Sequence, residues 1–177
     1  MSGFLHAAAV AAAALGVCFL ACDRPRMRAP ELAASVVMLV AMTDAGLTRY
    51  VPTVYWAAVL MACAMGIVLW RRPRRARRSR RHLPEQGSTA MLVHGAVGMV
   101  LMGALHLMMR GHHSDVGPAV TPHAHAVPLE TAVGAAVVLY VVASLAWGVR
   151  MPRPLPRGEM GAMTLSVVLM SAGVLAV

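Results

Sequence analysis

The sequence predicts an all-α integral membrane protein: a polytopic bundle of six transmembrane helices in one domain spanning 1–177, readable as three similar helical hairpins. Three observations predict it. The chain is 59% hydrophobic and only 13% charged, whereas a soluble domain has roughly 45–50% apolar and about 25% charged residues. Its apolar residues gather into six runs of the length a bilayer requires, about 20 residues each. Its basic residues, all arginine and no lysine, lie between those runs and alternate sharply in density.

The first run, about 3–22, has no basic segment before it, and its positive charges follow it at Arg24, Arg26 and Arg28. That order is wrong for a secretory signal, so a retained helix is expected. "FLAC", ending at Cys22, is only a faint lipobox, with Phe19 where leucine is usual. Cys18 and Cys22 share a helix face, but an odd total of three cysteines makes no disulfide framework. They are read as small buried apolar residues, with metal ligation the less favoured alternative.

The second and third runs, about 31–48 and 52–70, each begin beside a proline, Pro30 and Pro52, as helix boundaries do. The fourth, about 89–109, carries the chemistry discussed below. The fifth and sixth, about 130–149 and 159–177, begin at Glu130 and Glu159. Glu31 and Glu159 are placed to charge the first turn of a helix. Asp44, in the outer half of the second run, is expected either to pair with Arg49 or to face a cavity.

Orientation follows from the arginines. The first, third and fifth connections hold fourteen of the sixteen, eight of them between Arg71 and Arg81, and the second and fourth hold only Arg49 and Arg110. Positive loops stay inside, so both termini and the histidine-rich loop 110–129 are expected on the extracytoplasmic side of the plasma membrane. "RRPRRARRSRR" has the composition of a nucleic-acid patch. As a short loop between two spans it reads instead as a topology determinant against anionic lipid. No nucleic-acid partner is expected; lipid is, together with a membrane-protein partner or a second copy of the chain.

The even-numbered runs share a rhythm of a polar residue followed by methionines: Glu31 before Met38 and Met42, His94 before Met99 and Met102, Glu159 before Met163 and Met170. On the fourth run, Met91, His94, Met99, Met102, His106 and Met109 fall within roughly 140° of arc, and Met108 lies off this stripe. Polar side chains are costly in lipid, so the stripe should face the bundle interior. His94 and His106 are about 18 Å apart along a helix, too far to share an ion. Met102, His106 and Met109 are neighbours at i, i+4 and i+7.

Thioethers with imidazole select Cu(I) over hard cations, whereas zinc takes cysteine, histidine or carboxylate. Met102, His106 and Met109 are therefore the candidate copper ligands, with His112, His113, His123 and His125 as capture residues on the outer loop. Haem through His94 or His106 would need a second axial ligand that the sequence does not name. The plain alternative is that methionine fills irregular gaps and each histidine merely bonds a neighbouring helix.

The stretches "VVMLVAMTDAG", "HGAVGMVLMGALHLMM", "GHHSDVGPAVTPHAHAVPLETAVGAAVVLYVVASLAWGVR" and "GEMGAMTLSVVLM" resemble an uncharacterised family of actinobacterial integral membrane proteins, a domain-of-unknown-function family with Met- and His-rich helices. The resemblance covers nearly the whole chain as a pattern of helices. Relatives often pair two histidines before the fourth helix; here Val93 precedes His94. It implies an architecture and no activity.

The expected function is thus a small membrane protein that binds or passes a soft metal, copper, on the extracytoplasmic side. The alternative is an accessory subunit of a larger membrane complex with no ligand of its own. An enzyme is the least favoured class, because no nucleotide loop, nucleophile elbow or zinc-protease motif is present.

Overall fold

A computed structural model describes residues 2–23, 29–78, 86–111, 129–151 and 153–175, with side chains for 3–23, 29–70, 91–109, 129–151 and 153–174. Its helices are α1 (Ser2–Cys22), α2 (Ala29–Thr43), α3 (Thr53–Arg78), α4 (Gln86–Gly111), α5 (Leu129–Arg150) and α6 (Pro154–Leu175), and a π-helical turn, Asp44–Thr48, extends α2. No strand occurs among the described residues. Among the described residues five helices are long and apolar enough to cross a membrane: Gly3–Cys22, Ala29–Thr48, Thr53–Trp70, Met91–Met109 and Leu129–Arg150. α6 carries Arg157 and Glu159 in its first two turns.

Two boundaries differ from the sequence expectation for simple reasons. α3 continues past Trp70 through Pro73 into the arginine run, since arginine is a strong helix former. α6 starts at Pro154 rather than 159; proline suits a first helical position, where its missing N–H is not needed. Glu159 therefore sits beyond the first turn it was expected to charge, whereas Glu31 does lie in the first turn of α2. Arg157 instead folds back on the end of α5. Its Nε donates to the carbonyl of Gly148 at 2.9 Å and a terminal nitrogen to those of Val149 at 3.3 Å and Met151 at 2.8 Å. It thus covers carbonyls that the helix end leaves without partners.

Small residues set the closest approaches. α1 buries Ala9, Ala12, Ala13 and Leu20 on one face, which packs on α6, its most extensive neighbour. A Cβ at Gly173 would meet Leu5 at 3.7 Å, one at Gly16 would meet Met163 at 3.5 Å, and one at Gly158 would meet the Phe19 ring at 3.1 Å. These contacts run in opposite order along the two helices, so α1 and α6 are antiparallel over their length. α3 turns Ala57, Leu60, Ala64 and Ile67 inward. Its backbone approaches α4 at Gly103, where an added Cβ would lie 3.5 Å from the Ala57 carbonyl. Without a hydrophobic drive between helices in lipid, such close backbone packing supplies the attraction.

Among sequential pairs α3 and α4 pack most closely, and α1 leans on α6 more than on α2. α4 is the most enclosed span, 50% buried against 22–39% for the other four. Over residues 91–109, where its side chains are described, Val93, Val97, Val100 and Leu107 form its outward face. Met108 is buried as well, because the enclosed arc of α4 is wider than the donor stripe. Exposed Tyr50 and Tyr55 mark one end of the bundle, and exposed Trp70 and Trp147 the other, the positions that interfacial aromatics take.

Candidate metal centre

The core is rich in methionine: Met38, Met42, Met99, Met102, Met163 and Met170 belong to one buried cluster. Into it α4 projects two histidines, His94 near one end of the bundle and His106 near the other. Both are buried, yet their hydrogen bonding differs.

His94 is fully engaged. Ser144 Oγ donates to the carbonyl of Tyr140 at 2.6 Å. That uses its single proton, so toward His94 Nδ1, at 3.2 Å, the hydroxyl accepts. His94 therefore carries its proton on Nδ1, and Nε2 accepts the Tyr140 hydroxyl at 3.0 Å. The two rings also stack, with centroids 4.8 Å apart. Both ring nitrogens are occupied, so His94 has no lone pair for iron or copper. It is a polar tie between α4 and α5, of the kind small polar groups make inside membranes.

His106 is left half-engaged. Its exposure is 0%, and its Nδ1 lies 2.7 Å from the carbonyl of Met102, one turn back. A carbonyl only accepts, so the proton is on Nδ1, and Nε2 presents a bare lone pair. Among the described residues no donor reaches it. An unsatisfied buried acceptor costs about 1–3 kcal/mol, and natural structures hold few of them. A backbone carbonyl on one imidazole nitrogen is also how proteins orient the other toward a metal.

No family model, curated protein or solved structure matches the chain.

Of the expected ligands, Met102 and His106 are both fully buried in the core cluster. Met109 packs only half-buried at its margin. His112, His113, His123 and His125 lie outside the described residues. No group of three or more His, Cys, Asp or Glu side chains occurs among the described residues. Cys18 and Cys22 are exposed on α1 rather than buried as expected, and Cys63 is intermediate.

Among the described residues no ion pair joins Asp44 to the Arg49 guanidinium. Its carboxylate accepts Thr48 Oγ1 at 2.5 Å, the amides of Tyr50 and Val51 at 3.0 Å each, and Trp56 Nε1 at 2.7 Å. Arg49 contributes only its backbone amide, 2.6 Å from the Asp44 carbonyl, from a left-handed conformation with φ 51°. One carboxylate thus organises the π-helical turn and the start of α3.

Residues not singled out from the sequence complete this end of the bundle. His6 Nε2 bonds the Met42 carbonyl at 2.7 Å, and its ring occupies the space that a Cβ on Gly46 would fill. The available signal was a lone histidine in an otherwise apolar first run, which a charge or motif search passes over.

Proposed function

We propose that this chain is a small integral membrane protein that binds a soft metal ion, copper(I), at its extracytoplasmic end, with His106 as the anchoring ligand. One observation carries the reading: a completely buried imidazole whose Nε2 has no hydrogen-bond partner among the described residues, set in a core of thioethers. Cu(I) favours imidazole and thioether donors, and Met102 on the preceding turn is the nearest such donor in sequence, with Met109 on the following one. His112, His113, His123 and His125 serve as capture residues on the outer loop. An accessory subunit without a ligand would leave the bare nitrogen unexplained.

The arginine distribution supports cytoplasmic first, third and fifth connections and extracytoplasmic termini. On this reading the His106 end of α4 faces outward. The antiparallel packing of α6 along the full length of α1 supports a sixth crossing, shielded by its neighbours. The three-hairpin description and the kinship with the actinobacterial family belong to the same proposal. Metal analysis of the detergent-purified protein after anaerobic Cu(I) loading and desalting tests it: one copper per chain is expected, and none after His106→Ala. A parent protein that retains no copper refutes it.

A further inference from the structure

The corner between α5 and α6 carries Arg150, Arg153 and Arg157, and it uses them differently. Arg157 folds back and takes the carbonyls of Gly148, Val149 and Met151, the groups that a cation at the end of α5 would otherwise cover. Arg150, the last residue of α5, and Arg153 are relieved of that role. Both are exposed, and among the described residues neither side chain has a hydrogen bond or ion pair. Arg150 also ends an apolar stripe. At about 100° per residue, Leu139, Ala143, Ala146, Trp147 and Arg150 fall within roughly 100° of arc, and all five are exposed. None of the described helices covers them. Ala143 and Ala146 leave the strip shallow between the larger Leu139 and Trp147, and Trp147 takes the interfacial position beside the guanidinium.

We propose that this corner binds an anionic phospholipid, with its phosphate at Arg150 and Arg153 and an acyl chain along Ala143 and Ala146. The reading stands apart from the metal site and does not rest on it. Charge complementarity sets the occupant: guanidinium groups hold phosphate through paired N–H donors, and two of them stand uncommitted at a membrane interface. A phosphate there also offsets the mutual repulsion of the three arginines between 150 and 157. The apolar strip leading away from Arg150 favours a lipid over a soluble phosphate. A zwitterionic lipid brings its own cation and gains less. Orientation alone asks only for positive charge on the inner side; it asks neither for a shallow strip nor for arginines kept off their own helix end.

The test is native mass spectrometry of the full chain in detergent, titrated with dioleoyl phosphatidylglycerol or dioleoyl phosphatidylcholine. The parent should retain the anionic lipid in preference. Arg150→Gln with Arg153→Gln should weaken its tightest phosphatidylglycerol adduct by roughly 30-fold, the worth of two cations beside anionic lipid. Arg77→Gln with Arg78→Gln removes the same charge from the arginine run and should leave that adduct unchanged. Ala143→Leu fills the strip, keeps both arginines and should weaken the adduct as well. Equal losses in the two double variants would reduce the effect to net charge and overturn the site, as would equal retention of the two lipids by the parent. If Ala143→Leu binds like the parent, the acyl-chain placement is wrong and the phosphate placement stands. Cu(I) binding by every one of these variants should match the parent's, so the lipid and metal readings fail separately.

Discussion

The hydroxyl of Tyr140 donates to His94 Nε2 across 3.0 Å beneath stacked rings, and this pair ties α5 to α4 in the bundle interior. Tyr140→Phe keeps the ring and removes the proton, leaving a buried lone pair without a donor. A loss of about 1–3 kcal/mol is expected, measured by denaturant unfolding in mixed micelles, with copper binding unchanged. Stability equal to the parent would show that the tie contributes nothing.

Gly98 makes room for that hydroxyl. A Cβ there would come within 2.9 Å of it, whereas Gly95 on the same helix has nothing within 4 Å. Alanine normally favours a helix over glycine by about 1 kcal/mol. Gly95→Ala should therefore be neutral or stabilising and Gly98→Ala destabilising in the same unfolding assay. Equal effects would contradict the close approach.

Asp44→Ala would take the acceptor from four donors at once. The amides of Tyr50 and Val51, protected by the carboxylate, should exchange hydrogen markedly faster, with the core of α4 much less affected. Unchanged exchange at these two positions would mean that the carboxylate does not hold the turn.

Orientation is tested by labelling. With Cys18, Cys22 and Cys63 replaced, Ser114→Cys should react with an impermeant thiol reagent in intact cells and Ser79→Cys only after lysis. The opposite pattern would invert the bundle and place the His106 end inside.

The six helices were legible, five of them among the described residues apolar enough to cross a membrane, because lipid asks about 20 residues without charge of every spanning helix. Helix ends were less so. Pro154 and the arginines after Trp70 obey local propensity, which hydropathy does not register. The donor stripe on α4 was legible from the helical period, and Met102 and His106 are buried as it requires. What separated His94 from His106 was not legible. Both are single histidines among apolar residues, and only Tyr140 and Ser144, arriving from α5, occupy the nitrogens of one and not the other. The pairing of His6 with the Met42 carbonyl was hidden for the same reason. Their relation is a contact between helices, and it depends on a π-helical turn and on Gly46, neither of which periodicity reveals.

The most direct test sets the two histidines against each other. Cu(I) affinity of the purified protein would be measured by competition with a chromophoric chelator for the parent, His94→Ala and His106→Ala, with Met108→Leu as a control off the donor stripe of α4. The account predicts one tight site in the parent, retained in His94→Ala and Met108→Leu and lost in His106→Ala. Equal affinity in His94→Ala and His106→Ala, or no stoichiometric copper in the parent, would contradict it and make the buried methionines packing alone.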